Sequence, residues 1–141
     1  SAASDVYKRQ VKYRVIDAQK KLAEAYGVDS RRARTLKVAA AVTISGEKVS
    51  VTSIAANAFK GMKKLEKVTI GTNVSKIGKN AFSGDSKLKS IQIKSKKLTS
   101  VGKGALKNIS AKAVIKVPKS KKKAYTSLLK GKGQKKSVKI K

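Results

Sequence analysis

The sequence repeats itself with a period of 23 to 24 residues between Thr52 and Pro118. The segment 52–74 aligns with the segment 75–98, so that the apolar positions of the two coincide. The aligned pairs, each 23 positions apart, are Ile54 and Ile77, Phe59 and Phe82, Leu65 and Leu88, Val68 and Ile91, and Ile70 and Ile93. A third unit, 99–118, continues the pattern after one inserted residue. Because one such unit cannot bury its own apolar side, the period predicts a solenoid of stacked coils.

Each unit has a pattern that predicts one short strand and one opposing wall. Val68 and Ile70 flank Thr69, which is the alternation of a strand with one buried face. The Ala58-Phe59 pair and its equivalents predict the opposite wall, interpreted as a short helix, with Gly61 and Gly84 allowing turns. We therefore predict an α/β repeat solenoid with a strand plus a short helix in each coil.

The three units resemble the BspA-like leucine-rich repeats of bacterial surface proteins, which read roughly I-G-x-x-A-F-x-G-C-x-x-L-x-x-I-x-I-P. The matching segments are SIAANAFKGMKKLEKVTI, KIGKNAFSGDSKLKSIQI and a degenerate SVGKGALKNISAKAVIKVP. Leu65, Val68, Ile70 and Asn73 also fit the leucine-rich spacing LxxLxLxxN. The resemblance covers roughly residues 11–141. It implies a non-catalytic binding or adhesion module that is extracellular or on the cell surface.

The repeats depart from that family pattern at two positions. Met62 and Asp85 occupy the place where the family often has cysteine. Methionine can fill the same space, whereas burial of an unpaired carboxylate is costly. We therefore expect an open loop around Asp85. Asn73 is replaced by Lys96 in the next unit, so we expect any inward ladder of asparagines to be interrupted.

The flanking segments are predicted to cap the two ends of the solenoid. In the N-terminal cap, residues 11–51, the segments 42–44 and 49–51 predict a β-hairpin around a turn at 45–48. The segment 17–27 is interpreted as a strand, with a helix as the alternative that its local composition favours. In the C-terminal cap, residues 119–141, a helix over 120–131 precedes a closing strand at Val138 and Ile140. The residues expected on one face of that helix are Ala124, Tyr125, Leu128 and Leu129.

The first ten residues, SAASDVYKRQ, are interpreted as a translated sequencing-library adapter and not as part of the protein. On that interpretation Val11 is an interior residue of a longer chain, and any secretion signal lies upstream of it. The predicted division is an artefact at 1–10, a cap at 11–51, repeats at 52–74, 75–98 and 99–118, and a cap at 119–141.

Composition narrows the range of functions. The 141 residues include no Cys and no His, which excludes thiol and histidine catalysis and metal sites built on those ligands. The few carboxylates are dispersed and suggest no facing catalytic pair. We therefore expect no enzyme activity, metal or cofactor. The longest wholly apolar run, Val38 to Val42, is far shorter than the roughly 20 residues of a transmembrane helix.

The net charge of +29 is the remaining functional signal. From Lys67 to the end there are 22 Lys, no Arg and one acid, Asp85. Such a surface attracts polyanions, and lysine needs no fixed partner geometry. Host glycans, cell-wall polymers and acidic proteins are therefore the expected partners. Nucleic acid is not expected as the physiological partner, because readers of nucleic acid favour arginine and exposed aromatic rings.

The outward positions of the predicted repeat strands define a candidate binding face. Its residues are Glu66, Lys67, Thr69, Lys89, Ser90, Gln92 and Lys116. Three alternatives remain open at this point. The lysines could serve only solubility, the chain could be the wall- or substrate-binding module of a larger enzyme, or it could bind polyanions inside the cell.

Overall fold

The structure, a computed structural model, describes residues 5–8 and 11–141. The chain winds into a β-solenoid of about five turns. Two sheets form the main walls, and the apolar core lies between them. The adapter interpretation concerns residues 1–10, most of which lie outside the described residues, and it stays a prediction.

A five-stranded sheet runs along one side of the solenoid. Its order is β4-β7-β9-β11-β12, and all neighbours are parallel. The strands are β4 (Thr35–Val38), β7 (Lys67–Ile70), β9 (Ser90–Ile93), β11 (Val114–Lys116) and β12 (Lys139–Ile140). The predicted strands around Val68 and Ile91 are confirmed, and Leu36 extends the same inward row into the segment 11–51.

A seven-stranded sheet forms the second side. Its parallel part, β3-β6-β8-β10, is extended by the antiparallel strands β1, β2 and β5. The strands are β1 (Asp5–Lys8), β2 (Val11–Asp17), β3 (Leu22–Val28), β5 (Ala41–Ile44), β6 (Glu47–Ile54), β8 (Lys76–Ile77) and β10 (Ser100–Val101). The short strands β8 and β10 belong to the repeats and were not predicted.

Two predictions about the N-terminal segment can be compared with these strands. The hairpin is present, but its turn consists of Ser45 and Gly46 alone, both with positive φ. The strand interpretation of 17–27 is confirmed over β3, and the helical alternative is wrong. Pairing of β3 with both β2 and β6 buries Ala23 and Ala25, so tertiary contacts override the local helix propensity.

Within residues 11–118 of the described chain the third wall of the coils contains no helix, so the predicted α/β repeat is wrong in this detail. Two positions per coil, four residues apart, have positive φ, which a right-handed helix cannot accommodate. They are Asn57 and Gly61, Asn80 and Gly84, and Gly104 and Asn108. Alternate backbone N–H groups of this wall bond to the next coil, and those between them form turn hydrogen bonds within their own coil, such as Lys60 to the carbonyl of Asn57. Phe59 donates to the carbonyl of Ala81 at 2.9 Å, and Phe82 donates to that of Ala105 at 2.9 Å.

The repeat phenylalanines form the centre of the core. Phe59 and Phe82 are fully buried, and their rings stack with centroids 5.6 Å apart. Met62 and Leu65 are buried beside them. The predicted opposite wall is therefore present as stacked turns that carry the same apolar residues inward.

The single α-helix among the described residues, α1 (Lys122–Leu129), lies near the C-terminal end of the solenoid after a 3-10 turn at Lys119–Lys121. It buries Tyr125 and Leu129, whereas Ala124 is exposed, so the predicted apolar face was too wide. Gly131 has a φ of 71°, the conformation that ends helices.

Two tyrosines make equivalent contacts near opposite ends of the solenoid. The Tyr125 hydroxyl donates to the carbonyl of Ser95 at 2.7 Å and accepts the N–H of Leu98 at 3.0 Å. The Tyr13 hydroxyl donates to the carbonyl of Lys37 at 3.4 Å and accepts the N–H of Ala39 at 3.0 Å. Burial raises the pKa of Tyr13, partly offset by the hydrogen bond from Ala39. Each tyrosine thus fixes a loop that leaves the five-stranded sheet.

Candidate binding face

The structure brings the predicted face residues together on the outer side of the five-stranded sheet. Lys67 lies opposite Ser90, and Thr69 lies opposite Gln92, which in turn lies opposite Lys116. Glu66 and Lys89 precede their strands and are linked by a backbone hydrogen bond of 3.0 Å. A row here is the set of residues that lie opposite one another on successive strands. Lys67, Lys89 and Lys116 lie in three different rows, so they are not directly opposite one another.

The same outer side continues over strands that sequence reasoning did not assign to it. Thr35 and Lys37 on β4 extend the rows of Lys67 and Thr69, and Lys139 on β12 follows Val114. The alternation in Thr35-Leu36-Lys37-Val38 matches that in Lys67-Val68-Thr69-Ile70 and was the signal available for β4. We call the outer side of these five strands the sheet face.

Glu66 is the acidic residue of this face, and two cations surround it. Its carboxylate lies 3.6 Å from Arg34 Nη1 and 3.6 Å from Lys89 Nζ. Exposed ion pairs of this kind add little stability, but they neutralise the carboxylate. The field over the sheet face is therefore set by its basic side chains.

Asp85 is fully buried, contrary to the open loop expected around it. Its Oδ1 accepts the N–H of Met62, one coil earlier, at 2.7 Å, while Oδ2 has no hydrogen-bond partner among the described residues. Burial raises the pKa of this carboxyl to about 8, despite the hydrogen bond from Met62 and the nearby charges of Arg31 and Lys63. A neutral carboxyl at pH 7 explains how an aspartate can take a cysteine-like position in the core.

The expected interruption of the asparagine ladder has a structural counterpart. The side-chain amide of Asn73 donates a hydrogen bond to the carbonyl of Ala40 at 2.9 Å. Its Oδ1 accepts a hydrogen bond from the ammonium group of Lys97 at 3.1 Å. In the next coil Ser95 takes the inward role, donating to the carbonyl of Val74 at 2.6 Å. Lys96, the aligned residue, is exposed.

The described residues hold no cluster of three or more His, Cys, Asp or Glu side chains able to bind a metal ion. No helix within the described ranges has the length and apolar character needed to cross a membrane.

Stacked coils with one parallel strand on the same side define a protein of the leucine-rich repeat class. The BspA type leucine rich repeat region matches residues 40–141 in six copies, and the chain belongs to this family. The resemblance inferred from the motifs is therefore confirmed. No curated protein matches the sequence.

Solved structures of bacterial leucine-rich proteins share the fold. A leucine-rich repeat protein from Bacteroides capillosus ATCC 29799 is 18% identical with a TM-score of 0.71, over 98% of this chain and 99% of that one. A leucine rich cell surface protein from Faecalibacterium prausnitzii A2-165 is 18% identical with a TM-score of 0.65, over 82% of this chain. A protein from Bacteroides ovatus ATCC 8483 is 21% identical with a TM-score of 0.61, over 78% of this chain. The chain spans 37% and 36% of the last two proteins.

Proposed function

We propose that this chain is a non-catalytic binding module of a bacterial surface or secreted protein, and that its sheet face binds anionic ligands. Membership in the family and the cell-surface description of the Faecalibacterium protein support the location. Solenoids of this class present extended surfaces to their partners. Host glycans and cell-wall polymers are the ligands that a lysine-rich surface suits.

One observation carries the proposal of an anionic ligand. The sheet face carries four lysines in two rows that cross its strands, with Lys37 and Lys116 in one row and Lys67 and Lys139 in the other. The members of each pair lie three strands apart, and neighbouring strands are about 4.8 Å apart. The carboxylate of the face, Glu66, is already paired with two cations. Lysines retained only for solubility need no such alignment on one side of a sheet. Interaction with a polyanion would also relieve their mutual repulsion.

The terminal elements support a second structural proposal, that both ends of the solenoid are capped. The buried hydroxyl of Tyr125 joins α1 to the loop at Ser95 and Leu98. The hydroxyl of Tyr13 joins β2 to Lys37 on β4 and to Ala39, just after that strand. We propose that β2 and α1 cover the two end coils of the solenoid.

Charge reversal on the sheet face tests the proposed function. The triple variant Lys67→Glu, Lys89→Glu and Lys116→Glu should lose retention on a sulfated-polysaccharide column at moderate salt. The matched control reverses Lys48, Lys103 and Lys123, three exposed lysines outside the face, and keeps the same net charge. Circular dichroism should show both variants folded. Equal retention of the two variants would mean that total charge, and not the sheet face, determines binding.

A further inference from the structure

A small cleft opens where strands β9 and β11 end, at the border of the sheet face. It has a volume of about 240 Å³, below the roughly 300–1,000 Å³ of pockets for drug-sized ligands. Its polar lining consists of Gln92, Lys94, Lys96 and Lys116, and its apolar lining consists of Ile93, Val117 and Pro118. The size suits a single small group or one unit of a polymer.

The cleft lies at the point where the repeat period changes. Three residues separate Ile70 from Val74, whereas four residues separate Ile93 from Leu98, so the inserted residue falls within 94–97. The lysines at 94 and 96 belong to this longer loop. The preceding coil has Gly71 in place of Lys94, so the basic lining is particular to this coil.

Buried hydrogen bonds hold the longer loop in place. Ser95, between the two lysines, is fully buried and donates its hydroxyl to the carbonyl of Val74 at 2.6 Å. Its carbonyl accepts the hydroxyl of Tyr125 at 2.7 Å, and its Oγ accepts the N–H of Lys97 at 3.0 Å. The backbone that carries Lys94 and Lys96 is therefore fixed before any ligand arrives, which lowers the entropic cost of binding.

No ion pair among the described residues involves the lysines of the cleft. The ammonium groups of Lys94, Lys96 and Lys116 form no hydrogen bond or ion pair with the described residues. Glu66 precedes β7, at the opposite end of the sheet from the cleft, and pairs with Arg34 and Lys89. Asp85 is buried and accepts a hydrogen bond from the N–H of Met62. Three unpaired cations around one cleft attract an anionic group strongly.

We propose that this cleft binds one anionic sugar residue, with its carboxylate or sulfate among the three lysines. The amide of Gln92 both donates and accepts hydrogen bonds, as sugar hydroxyls do, whereas a polyphosphate offers acceptors alone. Val117 and the ring of Pro118, which has no N–H, provide an apolar wall for the C–H face of a sugar ring. This inference rests on the proposed function and narrows its ligand to anionic glycans.

Calorimetric titration of the full chain tests the cleft directly. The probe is a disaccharide of a uronic acid and a sulfated hexosamine, with a neutral disaccharide for comparison. We expect saturable binding of one molecule of the anionic probe and none of the neutral one. Replacing Lys94 and Lys96 by Gln should weaken binding at least about tenfold, because it removes two charge-assisted hydrogen bonds to the anionic group. The control replaces the exposed Lys135 and Lys136 by Gln and should bind like the wild type.

The outcomes separate this inference from the proposed function. Unchanged binding by the Lys94 and Lys96 variant would overturn the cleft, as would equal affinity for an oligomer of glycerol phosphate. Because Lys116 also lines the cleft, the double variant Lys67→Glu and Lys89→Glu separates the two proposals. Loss of column retention by this double variant, without binding of the disaccharide by the wild type, would overturn the proposal of a sugar site in the cleft but would support the sheet face as the anion-binding surface. If disaccharide binding depends on Lys94 and Lys96 but column retention does not depend on Lys67 and Lys89, the sugar site in the cleft is supported. The proposal that the sheet face binds anions would then be overturned.

Discussion

Asp85 accepts a hydrogen bond from the backbone N–H of Met62 at 2.7 Å, across the boundary between two coils, while its other oxygen is buried and has no hydrogen-bond partner within the described part of the chain. The two residues occupy equivalent positions of successive repeats, 23 apart in the sequence. One position thus holds a flexible apolar side chain in one coil and an acid in the next. The acid can remain in the core because burial keeps it protonated, which makes its contribution to stability dependent on pH.

The pH dependence has a definite sign. The pKa of Asp85 is raised from 3.8 to about 8 by burial, so between these values the folded state holds a proton that the unfolded state has lost. Stability should therefore fall as pH rises from about 4 to about 8, by up to about 1.4 kcal/mol per pH unit, and then level off. The chain has no histidine to mask this trend. Urea unfolding at a series of pH values measures it.

A pair of variants isolates Asp85 in that measurement. Asp85→Asn removes the titrating group, so the free energy of unfolding of this variant should depend little on pH. Relative to the wild type, the variant should therefore become more stable as pH rises. Asp29→Asn changes an exposed acid and should leave the wild-type slope intact. A flat wild-type profile would show that Asp85 is ionised in the folded protein near neutral pH.

Removing the Tyr125 hydroxyl should destabilise the C-terminal end of the solenoid. Tyr125→Phe keeps the ring but leaves the N–H of Leu98 and the carbonyl of Ser95 without their partner in a buried site. The expected loss is about 1–3 kcal/mol in the free energy of unfolding. Tyr13→Phe should cost less, since its bond to Lys37 is longer, at 3.4 Å, and its loop is only partly buried. Denaturant titrations give both values, and the reverse ranking would refute the argument.

Gly102 is required for close stacking of the coils. A Cβ at this position would overlap the backbone of Lys79 in the preceding coil, with its Cα only 2.6 Å away. Gly102→Ala should therefore destabilise the protein by about 1–3 kcal/mol. Gly27→Ala is the matched control, because the nearest atom to its added Cβ, the carbonyl oxygen of Ala58, lies 3.9 Å away. Thermal unfolding distinguishes them, and similar melting temperatures would show that the coils can separate without cost.

Salt should stabilise the protein. Outside the first ten residues, 34 basic and 6 acidic side chains remain, a net charge of +28. Raising the ionic strength from about 10 mM to about 150 mM shortens the Debye length from about 30 Å to about 8 Å and screens their repulsion. We expect the melting temperature to rise over this range, and to rise further with a soluble polyanion. A flat or falling melting temperature would show that the lysines are too dispersed to repel one another.

The repeat period made most of the fold predictable. The spacing of Leu65, Val68 and Ile70 located the strands of the five-stranded sheet, and their outward neighbours located the centre of its face. The turns around Asn57 and Gly61 were not predictable as turns, because Ala-Phe pairs suit a helix and the left-handed positions are visible only in the backbone. The cleft depends on where one residue is inserted and on Tyr125, a contact across 30 positions of sequence.

The hydrogen bonds of this solenoid also determine how it responds to a pulling force. Each repeat strand bonds only to the coil before and the coil after it, as β9 does to β7 and β11. A force applied at the two ends therefore loads the outermost coil first, and coils should detach one after another. Each detached coil would release about 80 Å of extended chain. A chain built in this way lengthens one coil at a time under tension and so limits the peak force that it transmits.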